Sequence, residues 1–497
     1  MFDLALQALT LSFYFLLFAC LARCLILLNK RPFPANAPKF VPGYPVVGAL
    51  QFFSDQLRFC HEKVTGSATG NYSFYLGRHR VVGVSGPQGR KTFFQTAHLD
   101  STQGVNLFLP IGTTLERGSD TSDETHDSHF LASLRKAFLR NDPLKSVPAA
   151  INASTTSTWN RIATKGLINP LEELTGLYAQ STMAAMGMPE VAQSPALLRK
   201  ITGLVGVLDG TFSAIDMVIP WLLNPLHIPV VIALGRLYMV LWRITREQQR
   251  QQQKEKPGDV IQYGMLQQVV DNGRSTRGIL KIIMATQFVS QVISPTISAW
   301  LLMGLATDAH WMDRIRQEVD QVVSKYRKNG ESAEEVLQSL EFDTWYHEFP
   351  LIGLSLLETI RLRGEVIPPG AYAIYHAQEV HMDPEIYPDP QRWDPGRFLS
   401  DRAEHQKAPN GYMGFGTGRM TCPGQRFARL QSAMVVARFV AMFDFTLCDE
   451  QGHPIQQFPA PCHDIAHFAA RPESPDTGHN KIKPLYKDDG NSERHQL

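Results

Sequence analysis

One eleven-residue stretch constrains this chain more than any other: Gly414-Phe-Gly-Thr-Gly-Arg-Met-Thr-Cys-Pro-Gly424, with four glycines and one cysteine. Gln425 to Phe443 follow without glycine or proline and are rich in apolar residues, which predicts a long helix. Glycine lets backbone N–H groups come close to a neighbouring group. Cys422 is therefore expected near the positive end of a helix dipole, which favours a thiolate. A thiolate is a strong ligand for soft metals and for haem iron.

Two other interpretations compete with a metal ligand. The first is a buried structural cysteine in a loop that happens to be rich in glycine. The second is a dinucleotide-binding loop, because Gly414, Gly416 and Gly418 alternate. That fingerprint also needs a preceding strand, a βαβ unit and a later acidic residue, and none of these is evident.

Composition excludes several classes of site. The formal net charge is +1, so nothing suggests nucleic acid or another polyanionic partner. Six cysteines are scattered over 497 residues without a CxxC pair. This disfavours a zinc site, a thioredoxin-like motif and covalent haem attachment, and it fits a reducing compartment.

The N-terminus predicts a single-pass membrane anchor. Residues 4–28 are almost wholly apolar and long enough to cross a hydrocarbon core of roughly 30 Å. Asp3 precedes them and Lys30-Arg31 follow, so the N-terminus is expected in the lumen and the body in the cytosol. A cleaved signal peptide is the alternative, but the apolar run is too long and the positive charge is on the wrong flank. Five prolines then predict a semi-rigid hinge over 29–45.

The spacing of Phe415, Gly418, Cys422 and Gly424 resembles the haem-binding loop of the cytochrome P450 family. The resemblance extends over nearly the whole chain, from the apolar N-terminal segment to the last helix. It implies that Cys422 is the axial ligand of the iron in haem b. Other residues expected to contact the haem are Phe415, Gly418, Arg419, Gly424, Arg135 and Lys136. The last two lie on a helix predicted at His129–Arg140, where the family pairs a basic residue with a haem propionate.

The same resemblance implies a mainly α cytochrome P450 fold with a small β region. The haem-thiolate domain is expected over residues 46–471, and its β region is expected to include the apolar runs Tyr72–Leu76 and Arg80–Val84. The polar residues 472–497 are expected to be a disordered tail.

A charged cluster is the third part of the resemblance. Glu358 and Arg361 lie three residues apart in an apolar helix predicted at Leu351–Leu362, so they share a face and must be matched if buried. In the family a later arginine completes the cluster and holds the cysteine loop in place, and Arg397 is the candidate here.

The sequence departs from the family in the middle of the long helix predicted at Gly278–Thr307. The family has an acid followed by threonine, which relay protons to bound dioxygen, and we place Val292 and Ile293 at those positions. The nearest hydroxyls, on Ser294 and Thr296, are the proton-relay candidates. Pro295 between them is expected to kink the helix.

A second departure follows Gly364, where the sequence runs directly into Glu365-Val-Ile-Pro-Pro. The family has a longer segment here, which supplies a pocket strand and often a propionate contact. The chain is either a shortened variant or the product of an incorrectly assigned splice site.

The resemblance implies a microsomal monooxygenase that oxidises an apolar small molecule. NADPH–cytochrome P450 reductase would supply the electrons, since no flavin or nicotinamide motif is visible. The protein is expected in the endoplasmic reticulum membrane. The style of the loop and the central helix is similar to filamentous-fungal enzymes of secondary metabolism. Two alternatives are a haem-thiolate isomerase or dehydratase that needs no reductase, and an inactive, truncated membrane-tethered paralogue.

Overall fold

The structure is a computed structural model that describes residues 14, 18, 22, 30–96, 99, 141–208, 227–252, 276–328, 330–363, 373–460 and 481–486. Three sequence predictions lie wholly or almost wholly outside these ranges. They are the membrane anchor at 4–28, the helix at 129–140 and the shortened segment after Gly364.

The described part of the chain is rich in helices. The helices are α1 Gln51–Ser54, α2 Gln56–Thr65, α3 Gly86–Gln95, α4 Asn141–Lys145, α5 Val147–Ala163, α6 Pro170–Ala185, α7 Pro189–Ala192, α8 Pro195–Gly206, α9 His227–Gln252, α10 Thr276–Thr307, α11 Ala309–Tyr326, α12 Ala333–Ser339, α13 Phe342–His347, α14 Pro350–Arg363, α15 Gln378–His381 and α16 Gln425–Met442. The strands are β1 Lys39–Phe40, β2 Tyr72–Leu76, β3 His79–Val84, β4 Ala373–Tyr375, β5 Phe443–Cys448 and β6 Lys481–Tyr486. Short 3-10 turns lie at Pro395–Phe398, Glu404–Gln406 and Gly418–Met420.

The small β region is a four-stranded sheet in the order β1-β2-β3-β4. Strands β2 and β3 form an antiparallel hairpin, and β1 and β4 add to its two sides in parallel. Gly77 begins the two-residue turn with a φ of +55°, a conformation that glycine adopts at no steric cost. The two strands predicted at Tyr72–Leu76 and Arg80–Val84 are confirmed.

The prediction of a disordered tail over residues 472–497 is wrong for residues 481–486. Strand β6 pairs antiparallel with β5 from Phe443 opposite Tyr486 to Cys448 opposite Lys481. The pairing gives hydrogen-bond partners to the backbone groups along one edge of β5. It also buries Ile482 in the main core. The composition of this region did not indicate a strand, because only a short alternation of polar and apolar residues lies between polar segments.

The main core is built around the central helix α10, which contacts α6, α14 and α16. Trp300 on this helix is fully buried. A polar contact crosses the same core, since the Tyr178 hydroxyl lies 2.5 Å from Ser298 Oγ and donates to Ser432 Oγ at 3.2 Å. The helices predicted at 278–307, 351–362 and 425–443 are confirmed within two residues at each end.

A buried carboxylate from a neighbouring helix caps the N-terminus of α14. Glu318 on α11 accepts hydrogen bonds from the N–H groups of Leu351 at 2.6 Å and Ile352 at 3.1 Å. These N–H groups lie in the first turn of a helix and have no partner within it. Glu318 thereby fixes the start of the helix that carries Glu358 and Arg361.

We expect Glu318→Gln to change how stability depends on pH. Burial raises the pKa of Glu318 from 4.5 to about 7, so the folded state binds this proton more tightly than the unfolded chain. Between pH 4.5 and about 7 the unfolding free energy of the wild type should therefore fall as Glu318 ionises. Relative to the variant, the fall should be on the order of 3 kcal/mol. Urea unfolding across this range measures it.

Glu348→Gln is the matched control. Glu348 is partly exposed and paired with Lys325, which lowers its pKa from 4.5, so its contribution to stability changes only below this pH window. Parallel stability curves for the wild type and Glu318→Gln would contradict the interpretation.

Candidate functional site

The loop from Gly414 to Gly424 is closed by its own backbone. The Cys422 N–H donates to the Phe415 carbonyl at 2.7 Å, and the Gly416 N–H donates to the Met413 carbonyl at 2.8 Å. Gly416 has a φ of +67°, and a Cβ there would lie 2.2 Å from the Met420 carbonyl oxygen. No other residue fits without moving the backbone, so this glycine sets the shape of the loop.

Cys422 presents a sulfur at the start of α16, a helix of 18 residues. Burial raises the pKa of its thiol, while hydrogen bonds from the backbone N–H groups of Gly424 and Gln425 lower it. The same two donors stabilise a thiolate once a cation or metal neutralises part of its charge. A Cβ on Gly424 would meet no atom within 4 Å, so there is open space at this glycine, two residues after the cysteine. A half-buried cysteine whose sulfur has two N–H donors at the start of a helix fits the thiolate ligand of a haem.

The other residues expected to contact the haem are placed as follows. The half-buried ring of Phe415 packs against the main core, with the Arg429 guanidinium 5.5 Å from its centre. Gly418 is exposed, and a Cβ there would lie 3.1 Å from the Phe94 carbonyl oxygen of α3. Arg419 lies in the 3-10 turn Gly418–Met420, but its side chain is outside the described part of the structure.

Arg135 and Lys136 also lie outside the described residues. Their expected pairing with a haem propionate therefore stays a prediction.

Glu358, Arg361 and Arg397 lie together in the structure. Arg361 donates to both Glu358 oxygens at 2.8 Å, through Nε and Nη2, in a two-bond pairing. Arg397 Nε approaches Glu358 Oε1 at 3.3 Å. The Glu358 and Arg361 side chains are 0% exposed and that of Arg397 is 1% exposed. This is a fully desolvated group of charges, which is stable only because each charge is matched.

The two guanidinium groups also bind backbone carbonyls of the irregular segment before the cysteine loop. Arg361 donates to the carbonyls of His381 and Pro390, and Arg397 donates to those of Pro388, Asp389 and Arg392. Since this segment has little regular secondary structure, its carbonyls have few other partners. The cluster therefore organises the backbone between β4 and the cysteine loop.

Sequence reasoning missed a fourth member of the cluster, Glu404. Its carboxylate is nearly buried and lies 2.9 Å from Arg397 and 2.7 Å from Arg402. Two buried arginines are thus matched by two buried carboxylates, with Arg402 at the rim. No periodic spacing joins Glu404 to Arg397, because a turn rather than a helix lies between them, so the sequence carried no signal for the pair.

The two proton-relay candidates do not lie on the same face of α10. Ser294 and Thr296 are two residues apart, which is 200° around a helix. Thr296 shares its face with Val289 and Ile293, whose side chains are 48% and 38% exposed on an otherwise buried helix. Its hydroxyl donates to the Val292 carbonyl at 2.8 Å. Thr296 therefore lies on the side of Val289 and Ile293, but it is itself buried at 7% exposure, whereas Ser294 is half-buried, so exposure does not select one hydroxyl over the other. Helix α10 is continuous through Pro295.

We expect Arg397→Ala to destabilise the fold strongly. The change leaves the carbonyls of Pro388 and Asp389 without these donors, and it removes a counter-charge from Glu358 and Glu404. Removing one member of a buried charge group typically costs about 3–5 kcal/mol. Urea unfolding at neutral pH measures the loss.

Lys325→Ala is the control, because it breaks an exposed ion pair with Glu348 at 2.6 Å. Such pairs contribute less than about 1 kcal/mol. Similar losses in both variants would show that burial does not give the cluster its importance.

Comparison with known proteins agrees with the family that the cysteine loop and the charged cluster resemble. A family model described as Cytochrome P450 matches residues 38–465. The chain is 30% identical over 455 residues to the cytochrome P450 monooxygenase AacuE of Aspergillus aculeatus, covering 85% of this chain and 89% of that protein. It is 25% identical to the cytochrome P450 monooxygenase dmxR5 of a Cryptosporiopsis species, covering 86% and 88%.

A solved structure supports the fold. The retinoic acid bound cyanobacterial CYP120A1 matches with a TM-score of 0.67 at 20% identity, over 92% of this chain and 100% of that chain. The family model spans most of the sequence, and the helix-rich fold with its small sheet agrees with it. The chain therefore belongs to the cytochrome P450 family of monooxygenases, which are oxidoreductases with a haem-thiolate cofactor.

Proposed function

We propose that this protein is a monooxygenase that oxidises an apolar small molecule, with haem b as its cofactor, which Cys422 would hold through its sulfur. The observation that carries the proposal is the Cys422 sulfur, which accepts N–H hydrogen bonds from Gly424 and Gln425 at the start of α16. The likeness to fungal monooxygenases such as AacuE supports a fungal secondary metabolite as the substrate.

When bound, haem would supply the chemistry for oxidising a C–H bond with dioxygen. The chain's own residues hold it and control access to it. Cys422 would bind through its sulfur, and Phe415, Gly418 and Gly424 would form the adjoining surface of the loop. Arg419 and either Arg135 or Lys136 would pair with the propionates.

Ser294 or Thr296 would hold and pass a proton. Thr296 lies on the same side of α10 as Val289 and Ile293. Its hydrogen is engaged by the Val292 carbonyl, so the lone pairs of its oxygen remain to accept a hydrogen bond from water or substrate. Val289 and Ile293 on the same face would exclude bulk water and contact an apolar substrate.

Electrons would come from NADPH–cytochrome P450 reductase at the endoplasmic reticulum. Residues 4–28 would anchor the chain with its body in the cytosol, followed by the hinge at 29–45 and the catalytic domain at 46–471. Support for membrane contact in the described residues is weak. Two helical segments, Ile228–Gln248 and Ile282–Thr307, are long and apolar enough to span a membrane by length and composition. The second is 78% buried and is the core of the fold.

The Cys422→Ala variant tests the function directly. With reductase and NADPH present, the wild type should consume NADPH with an apolar substrate and give the thiolate-type Soret band of its reduced carbon monoxide complex. Cys422→Ala should lose both, because alanine cannot ligate iron. Cys448→Ala removes a buried cysteine of β5 and should keep both. Equal loss in the two variants would reject Cys422 as the ligand.

A haem-thiolate isomerase or dehydratase is the second candidate function. It is supported by Pro295, which precedes Thr296 in a stretch of α10 without a carboxylate. Such an enzyme rearranges an oxygenated substrate without external electrons. Turnover by purified protein without NADPH and reductase would favour this function over the monooxygenase.

We expect part of helix α9 to contact the membrane surface. Ile228, Val231 and Ile232 in its first turns are 62%, 61% and 47% exposed, and Arg236 and Arg243 follow on exposed positions. An apolar end followed by basic residues suits an interface with anionic lipid.

A photo-crosslinking amino acid at Val231, in full-length protein in nanodiscs, should form lipid adducts. The same amino acid at Leu485, which is 60% exposed on β6, is the control. Equal lipid labelling at both positions would contradict a specific contact through α9.

A further inference from the structure

Among the side chains that the structure describes, no hydrogen bond joins the buried cluster directly to the cysteine loop. Within the described residues, the side-chain bonds of Arg361 and Arg397 to backbone end on carbonyls of residues 381–392. The cysteine loop begins more than twenty residues later, at Gly414. Any connection between the cluster and the loop must therefore run through other residues.

His381 connects the two. Its backbone carbonyl accepts a hydrogen bond from Arg361 Nη1, and its ring Nε2 accepts one from the Met413 N–H at 3.0 Å. The side chain is 0% exposed, and its ring stacks on Tyr412 with centroids 5.6 Å apart and an interplanar angle of 24°.

A second contact runs parallel to the first. The Arg361 guanidinium lies 4.8 Å from the ring centre of Tyr387, and the Tyr387 hydroxyl donates to the Gly411 carbonyl at 2.8 Å. Residues 411 and 413 are therefore both held by residues that touch Arg361.

The protonation state of His381 suits an acceptor. Burial, and next to it the positive charge of Arg361, lower the pKa of His381 to about 3, so the ring is neutral at physiological pH. With Nε2 accepting from Met413, the ring hydrogen is on Nδ1. Nδ1 is buried and has no hydrogen-bond partner among the described residues. The ring thus tolerates one unsatisfied N–H while making the bond to Met413.

We propose that His381 is a positioning residue that transmits the rigidity of the buried cluster to Cys422. The path is a continuous series of bonds. His381 Nε2 fixes the Met413 N–H, the Met413 carbonyl accepts the Gly416 N–H, and the adjacent Phe415 carbonyl accepts the Cys422 N–H. The consequence for iron ligation rests on the proposed function, but the ordering of the loop does not.

Three variants of His381 separate the acceptor from simple packing. His381→Phe keeps an aromatic ring against Tyr412 but has no acceptor. His381→Asn is polar but too short to reach the Met413 N–H. His381→Gln places an amide oxygen near the position of Nε2 and should restore the bond. His405→Phe is the matched control, since the His405 ring also packs against an aromatic ring, that of Phe398 at 5.2 Å, while the Met413 N–H donates to His381 instead.

The first measurement is hydrogen exchange at the Met413 amide in the full-length protein, resolved by fragmentation mass spectrometry. Exchange should rise roughly tenfold in the Phe and Asn variants, as expected for the loss of one buried hydrogen bond. It should return toward the wild-type rate in the Gln variant and stay unchanged in His405→Phe. Unchanged exchange in the Asn variant, or no rescue by Gln, would overturn the proposal.

The second measurement is the rate at which the reduced carbon monoxide complex loses its thiolate-type Soret band. The Phe and Asn variants should lose it faster than the wild type, and the Gln variant should not. Wild-type rates in the variants that have lost Met413 protection would overturn the link to Cys422. A wild type without any thiolate band would reject the proposed function, while the exchange data would still decide the role of His381.

Discussion

The fold of the site depends on a group of charges taken out of water. Glu358, Arg361 and Arg397 are buried with Glu404, and each charge meets an opposite one within hydrogen-bonding distance. Such a group is tolerated only when its geometry is complete, because desolvation of an unmatched ion costs several kcal/mol. Here the remaining donors of the two arginines bind backbone carbonyls. The charges therefore determine the path of a segment that has little regular secondary structure of its own.

The cysteine loop adds a second constraint, which is local. Gly416 adopts a backbone conformation that a side chain would not allow, and the Cys422 N–H closes the loop on Phe415. Helix α16 then begins three residues after the cysteine. The backbone geometry of the glycines and the start of the helix thus place the sulfur beside backbone donors. His381 and Tyr387 lie between the charged cluster and the loop and contact both sides.

Sequence patterns identified the elements whose signal is periodic or local. The long helices α10, α14 and α16 follow from apolar runs without breakers, and Glu358 with Arg361 follows from their spacing on one helix. Glu404 and His381 could not be found in this way, because their partners are brought to them by turns. Ser294 and Thr296 were equivalent in sequence, and the structure places them on different sides of α10, with Thr296 buried and Ser294 half-buried. The strand β6 was missed because its partner β5 lies more than thirty residues earlier.

The sequence by itself determined the helix-rich fold, the cytochrome P450 family and the cysteine loop, because each depends on residues close together in the chain. Hydrophobic periodicity, glycine conformation and the order of motifs are all local properties. Only the tertiary structure decided which charges complete the buried cluster, how deeply each hydroxyl residue of α10 is buried, and which contacts connect the cluster with the loop. Those features depend on side chains from distant segments meeting in a desolvated interior, where an unmatched charge or donor is costly.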